Sequence, residues 1–237
     1  LKSHPLDAEH SSNGSFTDLY ELSQKQVRGL ILGFADGKQP QGTLGQKIGS
    51  LYRLAMDSVR RNREGAEPLQ PVLRRVRGVK DVREYQRLAA ELDRRGQGGM
   101  LFSVGVGSDM RDADNNLVSI GQGGMGLGTR DYYLSDDAQT KRVRDAYKAY
   151  IVEVLQLAGC DKASATRKME AAMAIETRLA RAAYDKVKLR DVSANYHKMS
   201  YSDLCDEFPG IDWGNIFLLG GFPHFQNIDV SQPEPIH

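Results

Sequence analysis

A helical spacing of apolar residues recurs along most of the chain, and it constrains the fold more than any other feature. The clearest stripe runs in short steps over residues 143–158 and stops before Gly159. Its members are Val143, Ala146, Tyr147, Tyr150, Ile151, Val154, Leu155 and Ala158. This spacing places apolar side chains on one face of an α-helix, and Ser135 is positioned to cap its start. Similar stripes predict helices near residues 16–34, 44–59, 69–76, 82–92 and 169–183.

One region departs from this spacing. Residues 101–106 and 117–122 alternate between apolar and other residues with a period of two, and the polar run 108–116 between them predicts a loop. Further along, Ser200 and Asp203 are spaced as a capping box before another short helix. The predicted fold class is therefore mainly α: a helical domain with one small antiparallel β-hairpin.

Composition excludes several classes of protein. Of the 237 residues, 40% are hydrophobic and 27% are charged, which is typical of a folded globular chain. No stretch approaches the roughly 18 consecutive apolar residues that a membrane span requires. The net charge of +1 argues against a dedicated nucleic-acid binder. The only two cysteines, Cys160 and Cys205, exclude a disulfide scaffold, and we expect both to be free.

The charge is unevenly distributed along the chain. Residues 60–95 contain eleven basic and six acidic residues, a local excess of five positive charges. The solvated face of two helices is the simpler interpretation, and a surface for anionic partners is the other. The second interpretation allows an alternative function, a stand-alone binding or interaction module that uses the basic 60–95 surface.

Motifs that would carry chemistry are incomplete. Residues 121–126 match GxGxxG, but no amphipathic helix start follows, so we expect a turned loop rather than a nucleotide site. The five histidines are His4, His10, His197, His224 and His237. No two of them have the spacing of HExxH, and no GxSxG is present. The sequence therefore assigns no catalytic residue and no metal ligand to this chain.

Glu176 is the most informative single residue. It lies among the apolar positions of the 169–183 stripe, so its carboxylate is predicted to face the core. A buried carboxylate needs a partner, because removing it from water alone costs several kcal/mol. We expect a structural ion pair with an arginine, for which Arg130 is the candidate. A role for Glu176 as a catalytic acid or base is the alternative.

Several segments, read together, resemble the N-terminal part of the neprilysin/endothelin-converting-enzyme family of zinc metallopeptidases. They follow the order and approximate spacing of that family over nearly the whole chain, and the Gly-Leu-x-x-Arg-Asp-Tyr-Tyr run is the most specific of them. The segments are residues 1–16, Gln46–Tyr52, Glu67–Leu69, Phe102–Asp109, Gly126–Leu134, Ile175–Ala180 and Tyr196–Ser200.

The resemblance implies two largely helical lobes that enclose a cavity, with HExxH and peptide hydrolysis in the second lobe. Residues 1–14 would be an entering segment and residues 15–237 the N-terminal part of the helical lid lobe, without the catalytic lobe. The chain would then be part of a longer protein and inactive alone. Zinc is expected in the full-length protein, with none bound by this chain.

The resemblance also implies partners and a location. The partners would be the C-terminal catalytic lobe of the same protein and peptide substrates, without nucleic acid. The location would be secreted, periplasmic or cell-surface.

Two positions depart from the family pattern: Gly128 stands where proline is common, and Ser12 stands where some members have a substrate-binding arginine. No substrate-binding role is therefore transferred to this chain.

Overall fold

A computed structural model describes residues 14–237, so the predicted entering segment lies outside the described residues except for Gly14. The chain divides into two compact units, residues 1–65 and 66–237. The described part of the first unit contains three helices: α1 (Ser15–Asp36), α2 (Leu44–Met56) and α3 (Ser58–Glu64). We describe each unit by itself.

The stripe over residues 44–59 predicts one helix, and the structure divides it into two. Asp57 leaves the helical conformation, with φ −74° and ψ 79°, and its carboxylate accepts a hydrogen bond from the Arg60 backbone N–H at 2.8 Å. Aspartate favours such a cap position because its side chain satisfies an N–H that the new helix leaves unpaired. The apolar spacing continues across this break, which explains why the stripe alone does not reveal it.

Helices α1 and α2 pack closely at a glycine. Gly49 on α2 is buried, and a β-carbon placed there would lie 2.7 Å from the carbonyl carbon of Phe34 on α1. The Arg53 guanidinium also donates to the Ala35 carbonyl oxygen at 2.5 Å. A glycine at residue 49 thus permits direct contact between the two helix backbones.

The second unit combines helices with a small sheet. Its helices are α4 (Gln70–Arg77), α5 (Val82–Arg94), α6 (Asp131–Leu134), α7 (Ala138–Leu157), α8 (Lys162–Ala182), α9 (Tyr201–Glu207), α10 (Trp213–Gly220) and α11 (Pro233–Ile236). Its strands are β1 (Phe102–Asp109), β2 (Asp112–Gln122), β3 (Lys198–Ser200) and β4 (Asn227–Val230). The mainly α class is confirmed.

The predicted hairpin is present, but it belongs to a larger sheet. Strands β1 and β2 pair antiparallel, β2 pairs with β4 in parallel, and β4 pairs antiparallel with β3, giving the order β1-β2-β4-β3. The predicted loop 108–116 is also wrong, since Ser108 pairs with Asn116 and the turn is confined to residues 110–111. The first five residues of β2 are all exposed. Because neither face of this part of the strand is buried, its sequence shows no alternation of apolar and polar residues.

The main core of this unit packs helices against the sheet. Trp213 is 2% exposed, and its indole N–H donates to the Phe208 carbonyl oxygen at 3.2 Å. Its ring lies 5.5 Å from that of Phe102 on β1 and 5.8 Å from that of Phe217 on α10. The aliphatic residues buried most completely with it are Ile120, Leu204, Ile216, Ile228 and Val230. All five come from the sheet and from the two helices α9 and α10.

A buried carboxylate fixes the end of the hairpin. Asp109 accepts hydrogen bonds from the Lys198 ammonium at 2.6 Å, the Tyr196 hydroxyl at 2.7 Å and the Arg111 backbone N–H at 3.0 Å. Together these donors lower the pKa of Asp109 to about 2, with the Lys198 hydrogen bond as the largest cause. The ionised carboxylate therefore ties the β1–β2 turn to the start of β3.

The capping residues are predicted correctly in one case and wrongly in another. Ser200 and Asp203 form the expected capping box at α9. At α7 the cap is Asp137, whose carboxylate accepts from the Thr140 N–H at 2.9 Å. Ser135 instead donates its hydroxyl proton to Asp137 at 2.6 Å, because the helix begins two residues later than the Ser135 cap requires.

Three further expectations concern the cysteines, the basic residues between 60 and 95, and membrane spans. Cys160 and Cys205 are free, as expected. All eleven basic residues between 60 and 95 are exposed, which agrees with a solvated surface, and they are shared between the two units. Within residues 14–237, the helices are all too short or too polar to cross a membrane.

Candidate functional site

Glu176 lies at the point where three helices of the second unit meet. It is half-buried on α8, and its two carboxylate oxygens accept hydrogen bonds from two tyrosines. The Tyr133 hydroxyl, from α6, donates to Oε2 at 2.6 Å, and the Tyr147 hydroxyl, from α7, donates to Oε1 at 3.0 Å. Apolar side chains surround this cluster, including the buried Met173. The carboxylate therefore joins α6, α7 and α8.

The predicted ion pair between Glu176 and Arg130 is wrong. Within the described part of the chain, Glu176 forms no ion pair with an arginine; the Arg130 guanidinium donates instead to the Ala183 carbonyl oxygen at 2.5 Å. Ala183 follows the last residue of α8, where carbonyl groups lack partners within the helix. Two tyrosine hydroxyls satisfy the carboxylate without the cost of burying a second charge.

The glycine-rich run leads into this cluster. Leu127 donates its backbone N–H to the Tyr133 hydroxyl oxygen at 2.9 Å. A β-carbon at Gly126 would overlap the Tyr147 hydroxyl and would lie 3.4 Å from Glu176 Oε1. Gly126 is thus in close contact with α7 and α8. Residues 121–122 still belong to β2, and the expected loop begins at Gly123, with the four-residue α6 following only at Asp131.

The electrostatics favour a structural role for this cluster. Burial, together with the hydrogen bond to Glu176, raises the pKa of Tyr147 to about 12 and also raises the pKa of Tyr133. Both hydroxyls therefore keep their protons at neutral pH and remain donors. Each oxygen of Glu176 accepts one of these two hydrogen bonds. Sequence reasoning missed the tyrosines, although Tyr147 is a polar-tipped residue on the predicted apolar stripe.

An apolar cavity of about 470 Å³ is also lined in part by α8. Its walls come from α5, α8, α10, α11 and the segment that leads into β1. Apolar members of the lining include Val82, Met100, Leu101, Phe102, Ile175, Leu179, Ile211 and Ile216. Arg178 and Glu234 supply charge at this cavity.

Comparison with known proteins decides the family. The model of the N-terminal part of peptidase family M13 matches residues 1–237, which is the entire chain. The chain belongs to peptidase family M13. Endothelin-converting enzyme 1 of Rattus norvegicus is 27% identical over 244 residues, covering 100% of this chain and 31% of that protein. The same enzyme of Homo sapiens is also 27% identical and covers 100% of this chain and 30% of that protein.

Solved structures agree with this M13 assignment. The zinc metalloprotease Zmp1 of Mycobacterium tuberculosis, in complex with an inhibitor, has a TM-score of 0.87 and 30% identity. That match covers 98% of this chain and 36% of the Zmp1 chain. The resemblance to the neprilysin and endothelin-converting-enzyme family is therefore confirmed. The M13 chain spans about a third of the length of the relatives that it matches.

M13 peptidases are zinc-dependent, and histidines are the side chains that zinc sites use most often. In this M13 chain His197 Nδ1 lies 3.1 Å from the Val230 carbonyl oxygen, His237 lies 3.7 Å from a Glu207 oxygen, and His224 is exposed. His4 and His10 lie outside the described residues. Among residues 14–237, no three His, Cys, Asp or Glu side chains are grouped so that they fit a metal ion. The described residues therefore do not supply a set of zinc ligands.

Proposed function

We propose that this chain is the non-catalytic N-terminal region of a zinc metalloendopeptidase that hydrolyses peptides, and that it shapes the substrate cavity. The observation that carries the proposal is the match of the M13 N-terminal model to all 237 residues. The relatives are about three times as long, which leaves room for a C-terminal catalytic lobe as the partner of this region.

The role in shaping a cavity draws support from the construction of the second unit. Helices α6, α7 and α8 are joined by the Glu176 cluster, and Gly126 holds the preceding loop against them. Half-buried hydrogen bonds of this kind keep helices in fixed positions. A wall that admits only smaller peptides to a cavity requires helices fixed in this way.

Zinc would be held by the catalytic lobe, and we propose a secreted, periplasmic or cell-surface location. The alternative, a stand-alone module using the basic 60–95 surface, stays a prediction.

Substrate size is the measurement that tests this role. We expect the full-length enzyme to cleave a short quenched peptide at least about tenfold more efficiently, in kcat/KM, than a long disordered polypeptide carrying the same cleavage sequence. An unrelated endopeptidase with an open site serves as the control, since it should cleave both substrates at similar rates. Equal efficiency of the full-length enzyme on both substrates would contradict a cavity limited by this region.

A further inference from the structure

A groove between α7 and α8 carries an unbalanced charge. Its volume is about 690 Å³, and it is open to solvent along one side. Four cationic side chains and one acidic side chain line it: Arg144, Lys148, Arg178, Arg181 and Glu170. The remaining lining residues are largely apolar: Tyr133, Met169, Met173, Ala174 and Thr177. The chain as a whole has nearly equal numbers of acidic and basic residues, so this excess is local.

Two of the cationic side chains have no partner among the described residues. Arg178 and Arg181 are exposed, lie three residues apart on one face of α8, and form no hydrogen bond or ion pair within residues 14–237. The other two are engaged: Arg144 donates to the Tyr132 carbonyl oxygen at 2.8 Å, and Lys148 lies 3.2 Å from the Asp145 carboxylate. The groove therefore presents two guanidinium groups that remain available to a ligand.

The chemistry of this groove fits a particular ligand. A guanidinium binds carboxylates through two parallel N–H donors, and the flexible thioether side chains of Met169 and Met173 adapt to apolar groups of different shape. Arg178 also lines the apolar cavity that α8 helps to form, so one arginine lies at the margin of both concave surfaces. A concave groove with an apolar floor favours a peptide over a flat membrane surface, which would touch only the rim.

We propose that the α7–α8 groove binds an acidic peptide segment, with its carboxylates on Arg178 and Arg181 and an apolar residue on Met169 and Met173. The ligand class rests on the proposed function, because a peptidase region meets peptides. The binding itself is a property of this chain and requires no cleavage. Loss of binding would leave the peptidase assignment intact, and a failure of cleavage would leave the binding result intact.

The test uses a fluorescein-labelled octapeptide in which two glutamates flank a pair of leucines, with binding to this chain measured by fluorescence anisotropy. We expect saturable binding that weakens as salt rises from about 0.1 M to about 1 M, because the screening length falls from roughly 10 Å to roughly 3 Å. The Arg178→Gln/Arg181→Gln double variant should bind at least about tenfold more weakly, since two charge-assisted contacts are lost.

The matched control is the Arg142→Gln/Arg95→Gln double variant, which removes the same charge from exposed positions outside the groove. It should bind the octapeptide as the unmodified chain does. The proposal is overturned if both double variants weaken binding equally, or if a peptide with glutamine in place of glutamate binds as tightly. It is also overturned if the chain binds phosphatidylserine vesicles through these arginines and does not bind the peptide.

Discussion

Replacing Glu176 by alanine should lower the free energy of unfolding by about 3 kcal/mol. The substitution removes the acceptor of two hydrogen bonds, so the Tyr133 and Tyr147 hydroxyl protons lose their acceptor in an apolar setting. Hydrogen bonds to a charged group contribute about 1.5–3 kcal/mol each, and the half-buried position of Glu176 places the total near the lower end of their sum. Urea unfolding followed by circular dichroism measures the change.

Glu170→Ala is the control for this experiment. Glu170 lies on the same helix, is exposed, and forms no hydrogen bond or ion pair within residues 14–237. Its replacement should change the free energy of unfolding by no more than about 0.5 kcal/mol. Glu176→Gln should fall between the two variants, since it keeps one oxygen as an acceptor. A loss at Glu176→Ala no larger than that at Glu170→Ala would show that the cluster does not hold the helices together.

Gly49→Ala should destabilise the first unit by about 2–3 kcal/mol. The added β-carbon would overlap the Phe34 carbonyl oxygen and lie 3.1 Å from the Ala35 backbone nitrogen, so α1 would have to move away from α2. Overpacking costs about 1–3 kcal/mol or more when the neighbouring atoms are backbone, and the gain in helix propensity of up to about 1 kcal/mol offsets only part of it. Hydrogen exchange of α1 and α2 amides locates the effect.

The matched control is Gly29→Ala on α1, where a β-carbon would meet nothing within 4 Å. Here only helix propensity changes, so the variant should be stabilised by about 0.5–1 kcal/mol. We therefore expect the free energy of unfolding to fall for Gly49→Ala and to rise for Gly29→Ala. If Gly49→Ala also stabilises the chain, the close packing of α1 on α2 is not present in solution.

The helices were predictable because each buries one face, which leaves a stripe of apolar residues in the sequence. Even the wrong prediction over residues 44–59 placed helix on both sides of Asp57. Strands β3 and β4 were not predictable, because three and four residues are too few to show a period of two. Strand β4 pairs with β2, and β3 pairs with β4, but no local pattern in the sequence shows that β4 occupies the second edge of β2.

The Glu176 cluster shows a different limit of sequence reasoning. The helical position of Glu176 predicted a carboxylate that requires a partner, and it has two. The identity of the partners depends on which side chains the fold brings within about 3 Å, and Tyr133 is 43 residues away in sequence. Arginine is the more common partner of a buried carboxylate, so charge pairing alone favours Arg130 over a pair of tyrosines.

Zinc binding and peptide cleavage by this chain alone test the central proposal most directly. The purified chain receives one equivalent of zinc, binding is followed by calorimetry, and cleavage is followed with a quenched fluorescent peptide. Zinc peptidases need three protein ligands and an open fourth position, which we assign to the C-terminal lobe. We predict neither tight zinc binding nor cleavage by the chain alone, and cleavage once the C-terminal lobe is supplied. Submicromolar zinc binding together with chelator-sensitive cleavage by the chain alone would contradict its assignment as the non-catalytic region.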